Sequence, residues 1–174
     1  MRKVEVVPHN PEWQRAFELE AQYVSSSLSD NVIEVYHIGS TSIPGIYAKP
    51  ILDLMVAVRS IIQVDLHNSA MAAQGYEAMG EYGIPGRRYF RKDNAAGIRT
   101  HHVHVFEAGS DHIQRHLAFR DYMRAHPDEA QAYSDLKRQL AKAHPTDIEA
   151  YMDGKDGFIQ AMDIKAAAWR LANR

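Results

Sequence analysis

The sequence predicts an α/β fold, in fuller terms α+β, with a small mixed β-sheet over roughly residues 1 to 108 and a helical C-terminal part from 109 to 174. Three observations carry this expectation. Every strand-like run, VIEVYHI, ILDLMVAV, RRYFRK and IRTHHVHVF, lies before Glu107. From Asp111 onward strand signals vanish and helical segments follow one another, punctuated by Pro127 and Pro145. The length of 174 residues is that of one domain, with no Pro/Gly-rich linker long enough to separate two.

A first helix is expected over residues 10 to 28, with Asn10 as N-cap, Pro11 in the first helical position, and Trp13, Phe17 and Tyr23 at helical spacing. The β-branched run at 32–38 is a strand that feeds the loop GSTSIPG. Residues 51–58 are apolar on both alternating faces, as in a central strand, with Asp53 as the exception. A short helix is expected at 63–73 and a further strand within Gly75 to Tyr82. The runs 87–92 and 98–106 flank DNAAG, a turn-forming sequence, and read as an antiparallel hairpin. Helices then cover about 111 to 125, 127 to 143 and the chain after Pro145-Thr146.

The 20 basic and 22 acidic residues leave a formal charge of -2, so no global field draws the protein to nucleic acid or anionic lipid. Cysteine is absent, which excludes disulfides, thiolate metal sites and a cysteine nucleophile. The opening MRKVEVVPHNPEW lacks the apolar run of a signal peptide and no stretch is long enough to span a membrane, so the expected location is cytoplasmic.

The strongest local signal is HIGSTSIPGIYAKPILDL, where Gly39-Ser40 ends one strand and Asp53 lies on the next. Backbone N–H groups and a hydroxyl facing a phosphate, followed by a strand carboxylate for a divalent cation, suit a metal-bound nucleotide. The same residues also suit a tight turn with a capping serine. The stretch resembles the GrpB family (UPF0157), a likeness that extends to GIPGRRYFRK, HHVHV, LAFRDYMRAHP and the C-terminal Tyr/Lys helix. More loosely it is similar to nucleotidyltransferases of the polymerase-β type, whose pattern is hydrophobic-Gly-[Gly/Ser], about a dozen residues, then Asp-hydrophobic-[Asp/Glu]-hydrophobic. Here that reads Ile38-Gly39-Ser40, twelve residues, Asp53-Leu54-Met55-Val56. The resemblance implies a sheet of nucleotidyltransferase type, with Asp53 as the catalytic, metal-holding acid. Met55 stands where the pattern has a second acid, so the resemblance implies a metal centre short of one carboxylate. In the later strand the acid is Glu107, on the opposite face from His102 and His104.

His102 and His104, two apart on a strand, point the same way and can join Asp53 as metal ligands, contact a phosphate, or bond to neighbours. Two histidines with one carboxylate favour Zn, Mn or Fe over Mg. Arg87, Tyr89 and Arg91 share one strand face beside Arg88, a group that can grip a polyphosphate or simply solvate a strand edge. On the 111–125 helix, Arg120 and Arg124 fall in the arc of Ile113 and Leu117, so Arg120 needs a partner such as Asp53, Asp121 or a ligand phosphate. Tyr133, Leu136 and Leu140 form a packing stripe, and Tyr151 and Lys155 lie one turn apart.

The candidate phosphate- and nucleotide-binding set is thus His37, Gly39, Ser40, Thr41, Lys49, Arg87, Arg88, Arg91, His102, His104 and Arg120. The expected ligand is a nucleoside triphosphate or another phosphorylated small molecule with Mg or Mn, or Zn if the histidines ligate. Nucleic acid and membrane are not expected partners. The leading expectation is a GrpB-family nucleotide-binding protein, with transfer of a nucleotidyl group to an unknown acceptor as the activity the resemblance suggests. The alternatives are a non-catalytic nucleotide- or coenzyme-binding module, in line with GrpB-like domains fused to dephospho-coenzyme A kinase, and a metal-dependent hydrolase.

Overall fold

β-Branched residues in β1 (Val32–Ile38) and β5 (Arg99–Glu107), a continuous apolar run in β2 (Leu52–Val58) and the aromatic pair Tyr89-Phe90 in β4 (Arg87–Asp93) suit the strands of the computed structural model, which describes residues 3 to 173. With the short β3 (Glu77–Ala78) they form one sheet in the order β1-β2-β5-β4-β3. β2 and β5 run parallel, and β1/β2, β5/β4 and β4/β3 run antiparallel, so the sheet is mixed. α1 (Glu12–Leu28), α2 (Ile61–Val64) and α3 (Asn68–Ala73) are the helices of the first part of the chain, and α4 (Asp111–Ala125), α5 (Pro127–Ala143) and α6 (Ile148–Ala172) make up the last.

The chain packs as two compact units. One takes Pro11–Gly39 and Ile51–Ile113 and contains the sheet; the other takes the chain up to Asn10, Ser40–Pro50 and everything from Gln114 on. The helical unit therefore includes the β1–β2 loop. It is built on Ile43, Ile46, Ala118, Tyr122, Met123, Ala130, Tyr133, Met162 and Ala166. In the sheet unit, β2 is buried along almost its whole length, as its apolar sequence requires.

Register decides which side chains share a face. Ile38 opposes Asp53, which opposes His102, which opposes Arg91; Met55 opposes His104, which opposes Tyr89. These side chains therefore occupy one face. The other face carries His37, Leu54, Phe90, Val103 and Lys92, and α1 lies on it through Phe17, whose ring stacks on His37 with centroids 4.7 Å apart.

Four expectations need correction. Tyr23 is 44% exposed; α1 buries Trp13, Phe17, Glu20, Val24 and Leu28 instead. α1 also starts one residue later than expected, with Pro11 in the cap position. The single helix at 63–73 is two, broken by a 3-10 turn at Asp65–His67, where Asp65 is tied to Arg88 of β4. The strand within Gly75 to Tyr82 shrinks to two residues because Gly75 (φ +94°) and Gly80 (φ +62°) take left-handed backbone that no strand accepts. Among the described residues, no helix is long and apolar enough to cross a membrane.

Candidate functional site

Asp53 is the one charged side chain of β2, and the sheet supplies the reason for it. The Asp53 carboxylate oxygen Oδ1 lies 3.2 Å from His102 Nδ1 and 3.4 Å from His104 Nε2, both on the neighbouring parallel strand. The outer nitrogens of the same two rings face arginines. Arg87 Nη1 is 3.3 Å from His104 Nδ1, and Arg99 Nη1 is 3.5 Å from His102 Nε2. A guanidinium only donates, so each outer nitrogen accepts and each inner N–H donates to Asp53. The result is a chain from Arg87 through His104 to Asp53, and from Arg99 through His102 to the same oxygen.

This arrangement sets the charge at the centre. Burial opposes ionisation of Asp53, but the hydrogen bonds it accepts from His102 and His104 outweigh it and hold the carboxyl far below the usual carboxylate range. Tyr89 borders the cluster, with its ring centroid 5.7 Å from that of His102 and 5.4 Å from that of His104. Arg87 lies over the Tyr89 ring at 4.8 Å, and burial holds the Tyr89 phenol above its ordinary pKa. Tyr82, at φ +48°, stacks on Tyr89 at 5.3 Å. Arg87 fixes the Tyr82 segment by donating to the carbonyls of Tyr82 (2.9 Å) and Glu81 (3.2 Å).

Gly39 is the other half of the site in the sheet unit. Its φ is +72°, and a Cβ placed there would stand 2.5 Å from Asp53 Oδ2 and 3.0 Å from Asp53 Cβ and Cγ. Only glycine permits both the left-handed turn and the close approach to the carboxylate. Asp53, His102 and His104 each offer one ligand atom, all within 4.8 Å of one another, which suits a single divalent cation of borderline softness. Met55 is fully buried on the same face, so the strand adds no second carboxylate there.

The other expected residues are placed as follows. His37 is corrected: it is 4% exposed on the opposite face of the sheet, stacked on Phe17, because Ile38 and not His37 opposes Asp53. Arg88 also points away from the cluster and forms a two-pronged ion pair with Asp65 (2.8 and 3.2 Å). Arg91 shares the face of Asp53 but its guanidinium is held by Glu77 (2.9 Å). Glu107 lies on the opposite face, as expected, and accepts from the Ile61 N–H (3.1 Å) at the start of α2. The remaining candidates belong to the helical unit. There the Ser40 hydroxyl approaches that of Tyr133 (3.5 Å), Thr41 is buried, Lys49 lies over the Tyr151 ring (5.5 Å), and Arg120 pairs with Asp121 (2.9 Å). Arg99 is the site residue that sequence reasoning missed. Sequence spacing carries no signal for it, since residues three apart on a regular strand face opposite ways; the contact goes with the register shift between β4 and β5 at Lys92/Asp93.

The chain matches the family described as GrpB protein over residues 3–165. It is 46% identical over 169 residues to the UPF0157 protein YqkA of Bacillus subtilis, covering 97% of this chain and 49% of that protein, so it spans about half the length of this relative. The crystal structure of the conserved protein GrpB from Enterococcus faecalis superposes with a TM-score of 0.92 at 45% identity, covering 96% of this chain and 99% of that one. The Cid1 poly(U) polymerase with MgGTP bound aligns with a TM-score of 0.54 at 14% identity, over 78% of this chain and 44% of that one, and shares the nucleotidyltransferase fold.

Proposed function

Since the chain belongs to the GrpB family and its sheet has the nucleotidyltransferase fold, we propose that it binds a nucleotide through a single divalent cation held by Asp53, His102 and His104. The observation that carries this reading is the convergence of two imidazoles on one ionised carboxylate, with Gly39 kept free of a side chain beside it. A cation bound there would be a Lewis acid for a phosphate oxygen. To ligate through its inner nitrogen, each histidine must move its proton to the outer nitrogen, which then no longer accepts from arginine. Arg87 Nη1 and Arg99 Nη1 would thereby lose their ring acceptors and become available to phosphate oxygens, while Arg87 keeps its bonds to the Tyr82 and Glu81 carbonyls and Arg99 its ion pair with Asp93. Tyr82, 55% exposed and stacked on Tyr89, offers an aromatic face to a base.

Met55 favours binding over two-metal transfer, because β2 brings one carboxylate, Asp53, to the histidines where two-metal chemistry needs at least a pair. Titration of the four ribonucleoside triphosphates with Mg, Mn or Zn, with product analysis after long incubation, tests both parts. The reading expects metal-dependent binding with Mn or Zn ahead of Mg and little or no turnover. Robust Mg-dependent nucleotidyl transfer would overturn the binding-only part, and absence of any metal-dependent nucleotide binding would overturn the whole.

A further inference from the structure

The helical unit buries positive charge of its own. Lys137 of α5 is 1% exposed and its Nζ has no hydrogen-bond partner. The hydroxyl of Tyr151 in α6 is also fully buried without one. Lys137 Nζ lies 4.3 Å from the centroid of the Tyr133 ring on its own helix. The Tyr151 ring is approached by two further ammonium groups, Lys155 from α6 at 5.1 Å and Lys49 from the loop after β1 at 5.5 Å. The charges that act on Lys137 are those of Lys155 and Lys49, both of its own sign, with no carboxylate among them.

Packing alone accounts poorly for this cluster. A methionine at 137 would fill similar space without a buried ammonium, and the aromatic faces of Tyr133 and Tyr151 compensate only part of the lost hydration. Lysine offers donors and no acceptor, and the unpartnered tyrosine hydroxyl can donate as well. What Lys137 and Tyr151 lack is a ligand that brings acceptors, and the lysines around them favour one with more than one negative charge.

We propose that Lys49, Lys137, Lys155 and Tyr151 form an anion site of the helical unit that takes a phosphoryl group, as free phosphate or pyrophosphate or as the phosphate end of a larger molecule. This site does not rest on the metal reading of Asp53. Without anion, burial and the two neighbouring lysines push the Lys137 ammonium down to about 7, so the side chain is part-neutral near neutral pH. An arriving anion supplies the missing charge, and Lys137 takes up a proton as it binds.

The test is calorimetric titration of the full chain with pyrophosphate in EDTA, which removes any contribution from a metal centre. Malonate serves as a carboxylate control, and sulfate, which does not titrate near neutrality, carries the pH series. The expected result is one pyrophosphate per chain with malonate much weaker. Sulfate should bind more tightly as pH falls from about 8.5 to about 6.5, with proton uptake visible as a dependence on buffer ionisation enthalpy. Lys137→Gln and Lys155→Gln should each weaken pyrophosphate by about tenfold or more. If either variant fails to fold, NMR titration of the wild-type lysine side chains decides: pyrophosphate must move the Lys137 midpoint upward from about 7. Adenosine triphosphate in EDTA, compared with pyrophosphate, separates a nucleotide's phosphate end from a free anion. The proposal is overturned if the wild type takes no pyrophosphate at millimolar concentration, if malonate binds as well, or if Lys137→Gln and Lys137→Met bind as the wild type does.

Discussion

Replacing Gly39 with alanine tests the site through its backbone. The residue sits at φ +72°, where an L side chain costs roughly 1–2 kcal/mol. Its new Cβ would stand 2.5 Å from Asp53 Oδ2, so the carboxylate or the turn must give way. Such overpacking typically costs about 1–3 kcal/mol, for a combined loss of roughly 2–5 kcal/mol. For a chain of this size that is a fall in Tm of roughly 5–20 °C. Gly45→Ala supplies the control, since Gly45 has φ +79° but nothing within 4 Å of its Cβ position, and it should lose only about 1–2 kcal/mol. Urea unfolding of both variants measures the difference, and Mn titration reads the site: Gly39→Ala should weaken cation binding by about tenfold or more while Gly45→Ala leaves it alone. Equal, mild losses in the two variants, with unchanged Mn affinity, would refute the close approach of Gly39 to Asp53.

Asp53 is held below its ordinary pKa, so the stability it contributes is present above the unfolded value near 4 and is lost as pH falls through the lower folded one; Asp53→Asn should remove that component, about 1–3 kcal/mol, as seen in urea midpoints between about pH 3 and 7. Lys137 is shifted the other way for a base, to about 7 from 10.5, so in anion-free buffer wild-type stability should rise with pH between those values, and Lys137→Met should be more stable at neutral pH with that rise gone. Glu20 accepts from Tyr76 and Lys92 at 2.6 Å each on the α1 side of the sheet, and Glu20→Leu should cost about 1–3 kcal/mol by leaving the buried Tyr76 hydroxyl without its acceptor, measured by denaturant unfolding.

Much of the fold was legible because local chemistry and tertiary structure agree. Val32–Ile38 is a strand by composition and in fact, and Pro127 starts α5 where its missing N–H does no harm. Residues 61–73 were not legible as two helices, because no Gly or Pro marks the 3-10 turn at Asp65–His67 that separates them; Asp65 there is ion-paired with Arg88 of β4. At the site, alternation alone brought His102 and His104 to one side, and the strand acid singled out Asp53. His37 was misplaced because adjacency in sequence to Gly39 says nothing about which face opposes Asp53; the β1–β2 register does. The arginine contacts also follow from register, since the β4–β5 pairing brings Arg87 within reach of His104. Lys137 was hidden in a stripe read as Tyr133, Leu136 and Leu140, where the buried positions are Tyr133, Ser134 and Lys137.

The central claim is that Asp53, His102 and His104 hold one divalent cation that carries the nucleotide. A crystal structure of the chain with Mn and a non-hydrolysable nucleoside triphosphate tests it most directly, through the anomalous signal of the metal. The account predicts one Mn at about 2.0–2.3 Å from an Asp53 oxygen and from one nitrogen of each histidine, coordinated also by phosphate, with Arg87 and Arg99 turned from the rings toward the phosphates. Mn bound elsewhere, or nucleotide bound with both arginines still on the histidines and no metal at Asp53, would contradict it.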